Sequence, residues 1–279
     1  MRQDYPQLQV LLVDNASTDD SVAQIREAIP RLGPRVELVQ APSNGGFASG
    51  CNIGIRIALD RGARFVWLLN NDTIAPPDTL TQLVAETREA SVGMVGTVLR
   101  YLSDPGQIQA WGGGDIVRWL GYNRHFLTPT PLGRDSFLTF ASVLIRRELL
   151  LTTGQLDAGF FMYFEDADLC FRARNDGWTM AVAEGTAVLH REGASSAPST
   201  PRADRVNTAS GLRFLARHGR PAPIALVLFL LSRLAKRLVR GDLVRVRAVL
   251  AGAADWWRRR DHTRRDRSLR DRSHEGRPS

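Results

Sequence analysis

The sequence predicts an α/β fold organised around a doubly wound, mostly parallel sheet. Three observations carry this: short unbroken apolar runs, stretches of helical period between them, and polar turn residues where the runs end. Residues 8–13 are the first run, closed by Asp14-Asn15, and an apolar run without polar alternation reads as a strand covered on both faces. Residues 36–39 and 64–69 repeat the pattern. Between them, 19–29 reads as a helix capped by Ser17 or Asp19, and 47–60 as a helix turning Ile53, Ile57 and Leu59 to the sheet. Strands and helices alternating in this way imply parallel strands joined by right-handed crossovers.

The order then loosens. A helix is expected after Pro76-Pro77 to about Glu89, and a strand over 92–99. Trp111, Gly112, Gly113, Gly114 and Trp119 mark hairpins or a loop, and 137–145 returns as a strand. A helix starts near Glu165 and ends near Asn175, a strand follows at 178–182, and the body closes near His190. Three parts result: a folded body over 1–195, a linker with apolar and basic helices over 196–257, and a basic disordered tail over 258–279.

With 279 residues, 43% hydrophobic and 24% charged, the chain can bury a full core, which excludes wholesale disorder. The net charge of +8 is carried almost wholly by arginine, Lys236 being the single lysine, and the excess crowds the chain beyond Arg202. Such a run suits water, anionic lipid or nucleic acid. Nucleic acid fits least, because aromatic residues do not interleave beyond Trp256 and Trp257 and no recognition motif is present.

Residues 224–231 are apolar, and 232–240 set Leu234, Leu238 and Val239 among Arg233, Lys236, Arg237 and Arg240. The run falls short of the roughly 20 apolar residues a spanning helix needs, so it reads as lying in a membrane interface. The alternative is a helix packed on the core or on a second subunit. Cys51 and Cys170 lack metal-ligand or disulfide spacing, and residues 1–9 lack the apolar core of a signal peptide. The expected location is cytoplasmic, peripheral on the inner face of the cell membrane.

Five segments bear chemistry. Asp14, Asn15 and Ser17 sit at the carboxyl end of the first strand, where ligands bind in open α/β sheets; they read equally as a turn and a cap. Asn44, Gly45 and Gly46 follow the second strand, with Asn52 in the next helix, and paired glycines let backbone amides approach a ligand or make a tight turn. Asn70-Asn71-Asp72 follows the third strand, where a fixed carboxylate suits a hard divalent cation that also holds phosphate oxygens. Glu165 and Asp166 open a helix behind five large apolar residues, from Phe160 to Phe164. Apolar neighbours raise a carboxylate pKa while the helix dipole lowers it, the opposition by which a base is tuned, although acids in a first turn also simply cap. His190 closes an apolar strand and on its own reads more readily as structural.

Together these segments resemble family 2 glycosyltransferases, most closely the rhamnosyltransferase-like group that builds cell-surface polysaccharides. The resemblance spans about residues 4–214, and its most specific piece is Phe161-Met162-Tyr163-Phe164-Glu165-Asp166-Ala167-Asp168-Leu169-Cys170-Phe171-Arg172-Ala173-Arg174. It implies a GT-A fold, the nucleotide-diphospho-sugar transferase fold, with C-terminal amphipathic helices. It also implies inverting transfer from a nucleoside-diphosphate sugar to a saccharide or lipid-linked acceptor, aided by Mg²⁺ or Mn²⁺. On this chain Asp14, Asn15, Ser17, Asn44, Gly45, Gly46, Asn52, Asn70 and Asn71 would line the donor pocket. Asp72 and His190 would serve the metal, Asp166 would be the general base, and Glu165 would orient it.

Two departures stand out. Family members open with an earlier strand bearing a Thr-Tyr-Asn-like turn, whereas this chain starts at Asp4-Tyr5-Pro6, so a gap in the sheet is expected. Phe140-Ala141-Ser142 stands where relatives often carry Thr-Gly-Ala near the acceptor. The rival readings are a nucleotidyltransferase of related fold, a hydrolase using Glu165 or Asp166, and a degenerate, non-catalytic membrane-associated paralogue.

Overall fold

The structure, a computed structural model, describes residues 3–191 and 200–275. Two compact units emerge: Met1–Val117 with Tyr122–Ser196, and Arg118–Gly121 with Ala197–Ser279.

In the first unit β1 (Val10–Asp14), α1 (Ser21–Leu32), β2 (Val36–Gln40), α2 (Phe47–Asp60) and β3 (Phe65–Leu69) alternate as the apolar runs predict. There follow β4 (Thr73–Ile74), α3 (Thr79–Ala85) and β5 (Val92–Tyr101). Then come β6 (Ile108–Trp111), β7 (Gly113–Val117), β8 (Tyr122–His125), β9 (Ser136–Leu138) and β10 (Ser142–Arg146). The unit ends with α4 (Arg147–Thr152), α5 (Glu165–Asn175) and β11 (Thr179–His190).

The main sheet has the order β3-β10-β5-β11-β4, with β6 paired to β5. Strands β3, β5 and β11 share one direction, and β10 lies antiparallel between β3 and β5. Strand β5 is the axis of the core: its first eight residues are buried, as an unbroken apolar strand covered on both faces requires. On one side Leu80, Leu83, Val92, Val95, Leu144 and Ala183 pack together.

Strand β1 pairs in parallel with β2 through a register of Val10 with Val36 and Asp14 with Gln40. Among the described residues β1 pairs with no other strand and β3 with none but β10, while α2 packs on both. The sheet is therefore divided between β1 and β3, as the departure from the family pattern leads one to expect.

Several boundaries differ from expectation. Residues 137–145 form two strands in two sheets, split at Thr139-Phe140-Ala141, because Thr139 N–H donates to Gly112 O at 3.0 Å while Ala141 O accepts from Asn70 N–H at 2.9 Å. Strand β11 continues past 182: it bulges between Ala183 and Ala187 and then pairs again with β5 as far as His190. On α2 the buried stripe is Ala48, Asn52, Ile55 and Leu59, one helical face at steps of four, three and four, while Ile53 and Ile57 are half-buried. Ser17 does not cap α1; the Ser21 N–H there is taken by Asp19 Oδ1 at 3.1 Å, and the Ser21 hydroxyl, with that N–H second, holds the Asp19 carboxyl below its ordinary range.

The second unit is a helical bundle of α6 (Pro201–His218), α7 (Ala222–Leu238) and α8 (Leu243–Glu275). Thr200 caps α6 by accepting the Ala203 N–H at 3.1 Å, with Pro201 opening the helix. Asp204 of α6 is buried and binds Arg233 and Arg237 of α7 and Arg245 of α8. Helix α8 runs on beyond Arg258, where the sequence reading expects a disordered tail; 276–279 lie outside the described residues. No helix among the described residues is long and apolar enough to cross a membrane.

Candidate functional site

The loops that follow β1 and β2 are joined by side-chain amides. Asn15 Nδ2 donates to Asn44 Oδ1 at 3.2 Å and to Gly46 O at 3.0 Å, and Gly46 N–H donates to Asn44 Oδ1 at 3.1 Å. Asp14 is buried, and its carboxylate accepts the Ser17 N–H at 3.2 Å, folding the loop back around Ala16 in the left-handed region at φ 58°. Ser17 is thereby fixed through its backbone.

Gly46 joins this loop pair to the aromatic-acidic segment. Its φ is 85°, and a Cβ there would stand 2.0 Å from Phe161 O, so only glycine fits. The next amide, Phe47 N–H, donates to that same Phe161 O at 2.7 Å. The segment then turns through Tyr163 at φ 71° and Phe164 at φ 67° and enters α5 with Glu165 and Asp166 in its first turn. Ala16, Tyr163 and Phe164 are the non-glycine residues with positive φ among the described residues, and backbone strain of this kind gathers where function fixes geometry.

The two carboxyls at the head of α5 are not equivalent. Burial first, and the charge of Asp166 second, push Glu165 well above the ordinary carboxylate range. Burial also raises Asp166, to about 6, but N–H groups of Ala167, Asp166 and Phe140 oppose it, the Ala167 bond measuring 2.7 Å. More N–H groups favour the ionised form at Asp166 than at Glu165, where burial and the neighbouring carboxylate both act against it. Asp166 keeps some solvent contact while Glu165 is buried. Farther along α5, Asp168 is fully buried and binds Arg172 Nε at 2.8 Å, while the same guanidinium donates to Thr153 O and Gln155 O. These two residues of the motif brace the loop ahead of the acidic turn.

The third loop approaches from β3. Asn70 N–H donates to Ala141 O, and Ala141 adjoins Phe140, whose amide faces Asp166. Asn70 and Asp166 thus meet at one end of the main sheet through the β9–β10 break. Asn71 is exposed and Asp72 half-buried.

Register brings His190 to Asp72. Strand β11 pairs antiparallel with β4, setting His190 opposite Thr73, and Arg191 N–H donates to Asp72 O at 2.9 Å. His190 Nε2 consequently lies 3.2 Å from Asp72 Oδ1. The contact has ion-pair distance without hydrogen-bond geometry, since Asp72 Oδ1 is buried with no hydrogen-bond partner. On the other side of the ring His190 Nδ1 stands 2.7 Å from Gln109 Oε1. With Nδ1 donating to that oxygen, Nε2 aims a lone pair at the carboxylate, and two acceptors this close call for a cation.

A divalent metal fits that requirement. Adjacent octahedral ligands at about 2.1 Å from Mg²⁺ sit about 3 Å apart, and Mg²⁺ takes one or two protein donors with phosphate and water oxygens completing its shell. The described residues contain no group of three or more His, Cys, Asp or Glu able to hold a metal; Asp72 and His190 are a pair of residue types that such an ion takes as protein donors.

One expected site residue does another job. Asn52 is buried, its Nδ2 donates to Leu156 O at 2.8 Å, and its Oδ1 accepts the Leu156 N–H at 3.1 Å. It clamps α2 to the segment ahead of Phe160 rather than facing a ligand, because it belongs to the buried stripe of α2. That stripe was visible in the sequence as a helical period. Cys51 and Cys170 are both free, and burial holds each thiol up at about 12, so neither is a nucleophile.

Six buried side-chain polar atoms lack a hydrogen bond among the described residues, and three of them are Asn15 Oδ1, Asp72 Oδ1 and Glu165 Oε2. An orphaned buried polar atom is costly, and half of these lie on the loops that converge here.

Comparison with known proteins gives this arrangement a context. Residues 1–206 match the family described as "Glycosyltransferase like family 2". The chain is 28% identical over 214 residues to the O-antigen biosynthesis protein RfbC of Myxococcus xanthus, with 72% of this chain covered. It is 29% identical over 217 residues to an N-acetylglucosaminyl-diphospho-decaprenol L-rhamnosyltransferase of Mycobacterium tuberculosis, with 67% of this chain covered. The match spans 16% of the length of the former and 67% of the latter.

In structure it is similar to the mannosyltransferase PcManGT of Pyrobaculum calidifontis in complex with GDP-Man and Mn²⁺. There the TM-score is 0.54 at 19% identity, covering 90% of this chain and 72% of that one. It is also similar to S. aureus TarS 1–349 in complex with UDP-GlcNAc, with TM-score 0.52 at 18% identity, covering 82% of this chain and 64% of that one. At these identities the likeness establishes the shared fold, the mixed α/β sheet of GT-A glycosyltransferases with helices at the C-terminus.

Proposed function

Since the chain belongs to the family of glycosyltransferases described as family 2, we propose that it is an inverting transferase acting on a nucleoside-diphosphate sugar. The acceptor is a cell-surface polysaccharide precursor or a lipid-linked saccharide, and rhamnose is the sugar favoured by the mycobacterial relative's name. The chain works at the inner face of the cell membrane. The observation that supports this reading is that Asn15, Asp72 and Glu165, from three of the segments that bear chemistry, each keep a buried polar atom without a hydrogen-bond partner.

Asn15 and Asn44 take the nucleotide, with Asp14 and Gly46 fixing the shape of their loops. Asp72 and His190 hold Mg²⁺ or Mn²⁺, which when bound supplies positive charge to the departing diphosphate. Asp166 accepts the proton of the acceptor hydroxyl as its oxygen bonds to the anomeric carbon, while the carbon–oxygen bond to the diphosphate breaks on the opposite face. A carboxylate titrating near 6 is ionised at neutral pH yet basic enough to share a proton. Glu165, buried beside it, orients its neighbour or the acceptor.

A donor-hydrolysis screen with a panel of nucleoside-diphosphate sugars tests the reading on the full chain. Hydrolysis of at least one donor, lost on chelation and in Asp72→Ala, is expected. A chain inert toward every donor would favour the second reading, a non-catalytic paralogue.

A further inference from the structure

We propose that the outward faces of α7 and α8 form a docking surface for an anionic lipid bilayer, with both helices lying along it. This deepens the membrane-side placement proposed above and rests on it.

The second unit buries an apolar core of Leu212, Phe214, Leu215, Phe229 and Val249, and with it Asp204 and Arg237, Arg233 and Arg245 closing on the same carboxylate. Further large apolar residues point outward. On α7 they are Ile224, Val227, Leu231 and Leu238, at steps of three, four and seven, each more than half exposed. On α8 they are Leu243, Leu250 and Trp257, at steps of seven. Seven residues make two helical turns, so each set forms one stripe along its helix. Val239 and Val244 extend the exposed surface around the corner between the helices. Of the fifteen exposed large apolar residues among those described, eight fall within these two helices and a ninth, Val239, in the corner between them. Continuous exposed apolar stripes in addition to a buried core mark a surface that meets a partner.

Seven-residue stripes also suit the seam of a coiled coil with a second copy. Charge decides between the two. Residues 222–259 carry eight basic side chains and two acidic ones, Asp242 and Asp255. Both acids are engaged: Asp242 Oδ1 accepts the Arg245 N–H at 3.0 Å, and Asp255 binds Arg205 at 2.6 Å. The exposed charges on these two helices and at the corner between them, Lys236, Arg240, Arg247 and Arg258 among them, therefore share one sign. Two such surfaces repel each other, whereas lipid phosphates attract both. Trp257 supplies the aromatic side chain that headgroup regions favour.

The test is co-sedimentation of the full chain with phosphatidylglycerol-containing vesicles and with phosphatidylcholine vesicles, without nucleotide sugar. The mass of the protein in solution is measured alongside. Binding to the anionic vesicles, weakened by raised salt and lowered about ten-fold or more by Leu231→Glu with Leu250→Glu, is expected. Circular dichroism verifies that the double variant folds, and Arg240→Gln with Arg247→Gln gives an independent loss of affinity without touching the apolar stripes.

Equal binding by wild type and both variants overturns the proposal, as does equal binding to the two vesicle types. So does a dimer that the Glu substitutions dissociate while vesicle affinity stays unchanged. Because no donor is present, a chain without transferase activity can still bind, and an active chain can fail to.

Discussion

Asp72 and His190, 118 positions apart, stand 3.2 Å from each other at the sheet end because β4 and β11 pair in a register that sets them side by side. The carboxylate oxygen has no hydrogen bond, and the imidazole is held from behind by Gln109. A pair so placed suits the proposed metal. Asp72→Asn removes the charge and should lower Mn²⁺ affinity and donor hydrolysis by about 100-fold or more, with Gln109→Leu costing about ten-fold through loss of ring orientation. Calorimetric Mn²⁺ titration in the presence of nucleoside diphosphate reads both effects. Unchanged affinity in Asp72→Asn would remove the metal assignment.

Asp166→Asn should reduce transfer by about a thousand-fold or more while donor affinity stays within a factor of about three, since the base touches the acceptor side. Single-turnover kinetics with an equilibrium donor-binding assay separates the two. Wild-type turnover in the variant would sink the base assignment.

The same residue sets a pH dependence of activity and, with opposite sign, of stability. The base must be ionised, so kcat/KM rises with pH through about 6. Its folded pKa lies above the ordinary 3.8, so the folded chain holds the proton more tightly and stability falls as pH rises between those values. Removing the charge should therefore stabilise: Asp166→Asn gains about 2 kcal/mol over wild type at pH 8, and the gain vanishes near pH 4. Denaturant titrations at the two pH values measure it, and an equal gain at both would contradict the burial argument.

Gly46→Ala should be far more damaging than Gly62→Ala. Both glycines have positive φ, 85° and 77°, but a Cβ at 46 meets Phe161 O at 2.0 Å whereas at 62 it meets nothing. The strain common to both costs about 1 kcal/mol, and the clash at 46 adds about 2 kcal/mol more while breaking the Phe47–Phe161 bond. Donor affinity should fall in the first variant alone. Equal denaturation midpoints for the two would show that the loop is not seated on Phe161.

Asn52→Leu keeps the volume and leaves the Leu156 N–H and C=O without partners. A loss of about 2 kcal/mol in stability is expected, with donor affinity in the surviving folded fraction nearly unchanged. A selective loss of donor affinity at full stability would return Asn52 to the binding pocket.

The alternation of apolar runs with helical stretches was legible because each pattern is local. A strand covered on both faces needs an unbroken apolar run, and α2 and α5 start and stop where Phe47, Asp60, Glu165 and Asn175 stand in the sequence reading. The candidate site residues were legible as types: carboxylates, amides and glycines at strand ends. Their division of labour was not. Asn52 and Asp168 belong to the same motif-bearing segments as Asn44 and Asp166, yet one clamps Leu156 and the other braces Arg172.

What the sequence alone determined, then, is which elements form, in what order, and which chemistries lie at their ends, since hydrophobic period and turn chemistry act within a few residues. Tertiary structure decided the rest. It split 137–145 between two sheets, prolonged β11 through a bulge to carry His190 beside Asp72, and pressed Gly46 against Phe161. It also raised Asp166 and Glu165 to different degrees. Each depends on strand register, close backbone approach or exclusion of water by distant residues, quantities that exist only once the chain has packed.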